Sequence, residues 1–173
     1  MGGIQEDRLL KFNIKSLISL YLSTLIVICF SILILYYLRF DKYFVQGFLV
    51  SWAIDLLPSF FLHFTYYLRN KREEYEIRTN ALIKRKDGEE IIYLNNEIEK
   101  IIVYLSPALY KNSDFHLLSI EAYHYAVVKL KTGEEIILTC LLAPRIDKSL
   151  KQIQGVIFEK QKRLFCMITE KSE

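Results

Sequence analysis

Cysteine is scarce. Cys29, Cys140 and Cys166 are scattered through a chain of 173 residues and form no C-x-x-C pair. Their odd number and their spacing exclude a disulfide framework and a structural zinc site. Reduced thiols suit a cytosolic soluble region. Glycine is scarce too, with only 6 in the chain and none clustered after a strand. A glycine-rich phosphate loop is therefore absent, as are G-x-S-x-G, H-E-x-x-H and H-x-E with paired cysteines. We expect no catalytic group, no metal site, no cofactor and no enzyme. The net charge is only +3, too little for a duplex nucleic-acid binder, whose affinity grows with each neutralised phosphate. Charge itself is missing over long stretches. Nothing ionisable at neutral pH stands between Ser16 and Leu38, and between Tyr43 and Leu68 the only such residues are Asp55 and His63.

Roughly 20 apolar residues in a helix cross a hydrocarbon core. Two transmembrane helices are therefore expected, over about 16–38 and 43–68. The first run is too long for a signal-peptide core, so an uncleaved anchor is expected. Glu6 stands where a myristoylation signal needs Ser or Thr. The connection Arg39-Phe40-Asp41-Lys42 is short, which makes the helices antiparallel neighbours. Arg8, Lys11 and Lys15 precede the first span, and Arg69, Lys71 and Arg72 follow the second. Basic flanks stay on the cytoplasmic side, so both termini are expected there, with Arg69, Lys71 and Arg72 fixing the topology at the membrane surface. Tyr36, Tyr37, Tyr43, Tyr66 and Tyr67 stand at the span ends, where amphipathic rings prefer the interface.

The second span carries Ser51, Asp55, Ser59 and His63 at every fourth position. On a helix they form one slanted polar stripe. Ionisable groups are costly against lipid, so Asp55 and His63 should face protein or water. The stripe either packs on the first span or a neighbouring subunit, or lines an aqueous path. Two spans cannot enclose a path alone, so the second reading requires a homo-oligomer. Pro58 removes a helical hydrogen bond and is expected to kink the span.

From Tyr75 onward the pattern is that of strands, and the domain division is placed at 1–72 and 73–173. Tyr75, Ile77, Thr79, Ala81 and Ile83 alternate with polar residues, Leu82 excepted. Strands are expected over 91–94, over 98–105 before Pro107, and over 121–131 and 134–142. Asp87-Gly88 and Thr132-Gly133 read as hairpin turns, since Gly accepts positive φ. Asn95-Asn96 reads as a turn and Lys111–Ser119 as a loop. Lys-x-Gly-Glu-Glu-Ile-Ile occurs twice, at 86–92 and 131–137, which we read as repeated turn chemistry. After Pro144, the residues Ile146, Leu150, Ile153, Ile157 and Leu164 fall on one helical face, so a C-terminal amphipathic helix is expected to cap the sheets. Tyr123, His124 and Tyr125 are the candidate ligand contacts, in a predicted strand.

The segments YEIRTNALI (75–83), KDGEEIIYL (86–94), IEKIIVYL (98–105) and YAVVKLKTGEEIILTCL (125–141), with a closing helix, resemble the bacterial PH-like domains attached to membrane hairpins. The resemblance implies an α+β membrane protein: an N-terminal two-helix hairpin and a C-terminal antiparallel PH-like β-barrel or sandwich capped by one helix. It implies residence in the bacterial inner membrane. Two main readings of function stay open. One is a membrane-anchored binding or scaffolding module that recruits a protein partner or organises an oligomer. The other is an oligomeric, membrane-disrupting effector of antiphage defence, whose β-domain senses a cyclic nucleotide.

Overall fold

The computed structural model describes residues 8–12, 14–113, 116 and 118–168. Two long helices form, α1 (Ile14–Tyr37) and α2 (Lys42–Asn70). Both are long and apolar enough to cross a membrane, and most of their surface is exposed. The turn between them holds Arg39 and Phe40 at positive φ, both 53°. Asp41 then caps α2 by accepting the amide of Tyr43 at 3.0 Å. Pro58 lies inside α2, which continues through it to Asn70.

The helices are an insertion within a sheet. A strand that precedes them, β1 (Arg8–Leu10), pairs antiparallel with β2 (Glu73–Ile77), the first strand after them. Then come β3 (Ala81–Lys86) and β4 (Glu89–Leu94), completing a sheet of order β1-β2-β3-β4. The second sheet holds β5 (Ile98–Leu105), β6 (Tyr125–Leu130), β7 (Glu135–Thr139) and β8 (Ile157–Lys162), in the order β7-β6-β5-β8. Two short helices, α3 (Pro107–Tyr110) and α4 (Ile146–Leu150), and a 3-10 turn over Ser119–Ala122 lie in the connections.

The second sheet is buried on both faces. Ala126, Val128, Ile136 and Leu138 face the first sheet, where Leu10, Tyr75, Ile77 and Leu82 meet them in the main core. Tyr125, Val127 and Ile137 point the other way, into a second core with Leu20, Leu62 and Tyr66 of the helices. This explains the apolar run at 125–128, since a strand covered on both sides needs no polar alternation.

Several expectations change. The expected strand over 75–83 is two strands. Residues 78–80 turn between them, closed by the Arg78 amide on the Ala81 carbonyl at 2.9 Å. Leu82, which broke the alternation, marks that change of register. The strand expected from 121 begins at Tyr125. The sheets form a sandwich and not a closed barrel, since no strand pairing joins the two among the described residues.

The C-terminal cap helix is also absent. The helical segment stops at Leu150. Gly155 takes a φ of 76°, and residues 157–162 pair in parallel with the open edge of β5. Ile146, Leu150 and Ile153 are buried as the stripe required, but Ile157 is 63% and Leu164 74% exposed. Backbone pairing with an unsatisfied strand edge outweighs a stripe that would have covered nothing.

Asp87-Gly88 and Thr132-Gly133 do turn hairpins. The first is a two-residue loop with positive φ at both positions (51° and 89°). The second places Gly133 at 93° and closes through the Gly133 amide on the Leu130 carbonyl at 3.0 Å. Asn95 is more than a turn residue, because its amide nitrogen donates to the carbonyls of Thr79 and Gln154 at 2.9 and 2.6 Å. The loop expected over Lys111–Ser119 falls partly outside the described residues.

Candidate functional site: the junction of helices and sheets

Polar and aromatic side chains gather where α1 and α2 meet the second sheet. Asn70 ends α2 and is buried. Its amide nitrogen donates to the Ile137 carbonyl and to Glu73, each at 3.0 Å, while its oxygen accepts the Thr139 amide at 3.0 Å. One side chain thus pairs with β7 as a neighbouring strand would, fixing the helix end to the sheet edge. Burial would raise the Glu73 pKa, but hydrogen bonds from Lys84, Tyr75 and Asn70 and the Lys84 charge hold it below the ordinary carboxylate value.

One turn earlier, Tyr66 is fully buried and donates its hydroxyl to the Cys166 carbonyl at 2.5 Å. Its ring meets those of Tyr123 and Tyr125 edge-on, at 5.5 and 6.2 Å. Tyr125 stacks on Tyr104 at 4.8 Å. The Arg163 guanidinium lies 4.0 Å over the Tyr104 ring and donates to the Tyr125 hydroxyl at 3.1 Å. Such aromatic and cation–π contacts add to the burial of the rings themselves. The thiols of Cys140 and Cys166 are pushed up to about 12 by burial, so both stay protonated and unreactive at neutral pH.

The polar stripe of α2 runs beneath the segment that carries the 3-10 turn. Asp55 accepts the amide of Ser119 at 2.9 Å and its hydroxyl at 2.7 Å. Thr24 of α1 bonds the same Ser119 hydroxyl. The Tyr123 hydroxyl meets His63 Nδ1 at 3.3 Å and the Tyr21 hydroxyl at 3.0 Å. Ser59 donates within the helix to the Asp55 carbonyl at 3.1 Å. Ser51 stays exposed beyond the contact. The stripe therefore joins the helices to the chain's own connection between β5 and β6.

Tyr123, His124 and Tyr125 are all buried. The two tyrosines face the helices. His124 points away from them, its Nδ1 donating to the Ala122 carbonyl at 3.0 Å and its Nε2 without a hydrogen-bond partner among the described residues. Burial lowers the His124 pKa to about 4, so the ring is neutral at pH 7. Asp147, likewise buried, receives Arg145 at 3.1 Å and Lys160 at 2.9 Å. Those bonds outweigh its burial and hold it well below the carboxylate range.

Arg69, Lys71 and Arg72 are exposed at the base of α2. Lys71 and Arg72 line a cleft of about 440 Å³ with Lys11 and Arg85, opposed by Glu73 and Glu74. Arg69 closes a second groove of about 600 Å³, walled by Phe61, Phe64, Leu68 and Ile168.

Sequence reasoning found Asp55 and His63 because ionisable residues stand out in an apolar run. It missed Asn70, which reads as part of the polar flank. It also missed Thr24 and Ser119, which are ordinary residues until the fold brings them together.

No curated protein and no solved structure matches this chain significantly. A family model described as PH domain matches residues 5–148. That range takes in both long helices and seven of the eight strands among the described residues, and the chain belongs to the PH domain family.

Proposed function

We propose that this chain is a membrane-anchored binding module, in which the α1–α2 hairpin holds a PH-like sandwich against the bilayer and the sandwich receives a partner. Membership of the PH domain family supports a binding or scaffolding role. The observation that carries the anchored form is the apolar surface of the hairpin. Phe30, Leu33, Ile54, Leu57, Phe60 and Phe64 are all more than half exposed, a surface that water would not tolerate over such an area. The rigid junction at Asn70 and Tyr66 then fixes how the sandwich stands on its anchor.

The face offered to a protein partner is β4. It is an edge strand, and Ile91, Ile92 and Leu94 are exposed along it. Open edges with apolar side chains accept an added strand. The effector reading drew on the polar stripe as an aqueous path. Asp55 and His63 are engaged by Ser119 and Tyr123 instead, so we carry the binding module forward.

The test is flotation of the full chain with phospholipid vesicles. The protein should float and resist extraction by alkaline carbonate. Release by carbonate would refute anchoring. Orientation follows from basic flanks in the cytoplasm of a bacterial cell. Replacing Arg69, Lys71 and Arg72 with Glu should scramble insertion, read by labelling an engineered cysteine near the C-terminus. A photocrosslinker at Ile92 should trap one partner species, and an empty lane would count against the β4 edge. The mass in detergent separates a single anchored copy from the ring that an effector requires.

A further inference from the structure

The tip of the hairpin carries Arg39, Asp41 and Lys42, all exposed. Charges in that number do not rest in hydrocarbon. On the anchored reading, on which this inference rests, the tip lies at the far headgroups. A hydrocarbon core of about 30 Å then takes up about 20 residues of each helix from the tip inward. It ends near Ile18 on α1 and Phe61 on α2. Thr24 and Asp55 each lie only about 20 Å from the tip along their helix axes. They are therefore about 10 Å inside the near boundary, and tilting the hairpin sinks them deeper. Both residues hold Ser119. The segment around Ser119 must share their depth.

We propose that residues 118–123 form a re-entrant wedge, a third element embedded in the bilayer, with Leu118 turned to the lipid acyl chains. Irregular backbone survives at that depth only where its polar groups are paired within the protein. Six such pairs are present among the described residues. The Ser119 amide goes to Asp55, the Glu121 amide to the Leu118 carbonyl at 3.0 Å, and the Tyr123 amide to the Ile120 carbonyl at 3.2 Å. The Leu118 amide reaches the Glu121 carboxylate at 3.4 Å. The carbonyls of Glu121 and Ala122 accept from the Ser106 hydroxyl at 2.5 Å and from His124 at 3.0 Å. Asp55 thus satisfies the first amide of the 3-10 turn from another helix, which gives an ionisable residue a reason to stand in an apolar span.

Leu118 is 44% exposed. The next apolar surface also falls at a fitting depth. Tyr66 stands about 36 Å from the tip, at headgroup level, and it holds the Cys166 carbonyl. Leu164, Phe165 and Met167 are exposed beside it, where interfacial apolar and aromatic side chains belong.

The experiment uses the sole tryptophan, Trp52, which lies about 15 Å from the tip and so near the bilayer centre. The full chain is placed in vesicles of phosphatidylcholine and phosphatidylglycerol containing doxyl-labelled lipids. Deep acyl-chain labels should quench Trp52, and failure there would overturn the anchored reading itself. In the Trp52→Phe, Leu118→Trp variant, shallow acyl-chain labels should remove about half of the emission, while aqueous iodide leaves it unchanged. Quenching by iodide but not by lipid labels, with Trp52 still quenched in the wild type, would overturn the wedge alone. Leu118→Cys in a Cys29→Ala background, carrying a nitroxide, gives the same reading without a bulky ring. Collisions with oxygen should exceed those with a water-soluble nickel chelate, and the reverse order rejects the wedge.

Discussion

Asn70 does the work of a strand with a single side chain. Replacing it with Leu keeps its volume but strands the Thr139 amide and the Ile137 carbonyl, which are bonded to it now. A buried polar group left unpaired costs about 1–3 kcal/mol, so Asn70→Leu should lower the thermal midpoint of the detergent-solubilised chain by several degrees. Asn70→Asp should be worse, because a carboxylate would face both Glu73 and the Ile137 carbonyl. His124 sets an acid limit. Its pKa falls from the ordinary 6.5 to about 4 on folding, so between those values the unfolded chain holds a proton that the folded chain refuses. Stability is then complete above pH 6.5 and falls as pH drops through the window, by about 3 kcal/mol at its lower end. His124→Gln should flatten that slope, seen as a smaller fall in melting temperature from pH 7 to pH 4.5 than in the wild type. Asp147 has the opposite dependence on partners, and its contribution is lost only in stronger acid, as its depressed pKa is approached. The role of Asn70 is not written in the neighbouring residues. Asn70 sits in a run of polar residues, and its two backbone partners lie on the distant β7.

Among the elements, β8 shows how a local signal is overruled. Ile146, Leu150 and Ile153 obey helical spacing and are buried, so the spacing was informative for that stretch. Beyond it, Gly155 turns the chain at a φ of 76° with open space around it. An alanine there meets no atom and is disfavoured by its backbone alone, at about 1–2 kcal/mol. Gly155→Ala should therefore lower stability by that amount without altering the packing, as chemical denaturation of the folded chain would show. The residues after Gly155 join β5 because an edge strand beside a buried core has amides and carbonyls to satisfy. The two similar Gly-Glu-Glu-Ile-Ile turns were legible because tight turns depend on a few consecutive residues. They differ in loop length and in the residues at positive φ, so the repeat is one of chemistry and not of geometry.

At the scale of the molecule, the hairpin that we propose as an anchor is also a roof. It covers Tyr123, Tyr125, Val127, Ile137 and Cys140 on the outer face of the second sheet. Replacing residues 13–72 with an Asn-Gly turn would join β1 to β2, which already pair in register from Leu10 opposite Tyr75. The product should keep the core between the sheets and a strand-rich circular dichroism spectrum. It should also melt earlier and self-associate, because the roofed face is now bare. Val127→Thr with Ile137→Thr should restore a monomer on size exclusion, and a product that is monomeric without them would show that the roof is dispensable. A fragment beginning at Glu73 should do worse, since it loses β1 as well.

The sequence alone determined what depends on neighbours along the chain. Two apolar runs joined by a short charged turn make an antiparallel helical pair, and Asp87-Gly88 and Thr132-Gly133 turn strands because Gly accepts positive φ. Alternation and its lapses placed most of the strands within a few residues. The tertiary structure decided whatever depends on residues far apart. It put β1 before the helices into the same sheet as β2 after them, gave the polar stripe to Ser119 and Tyr123, and made a strand of a helical-looking tail. The physical reason is the same in each case: a buried hydrogen-bonding group must find a partner, and which partner lies within reach is set by the packing of the sheets and helices.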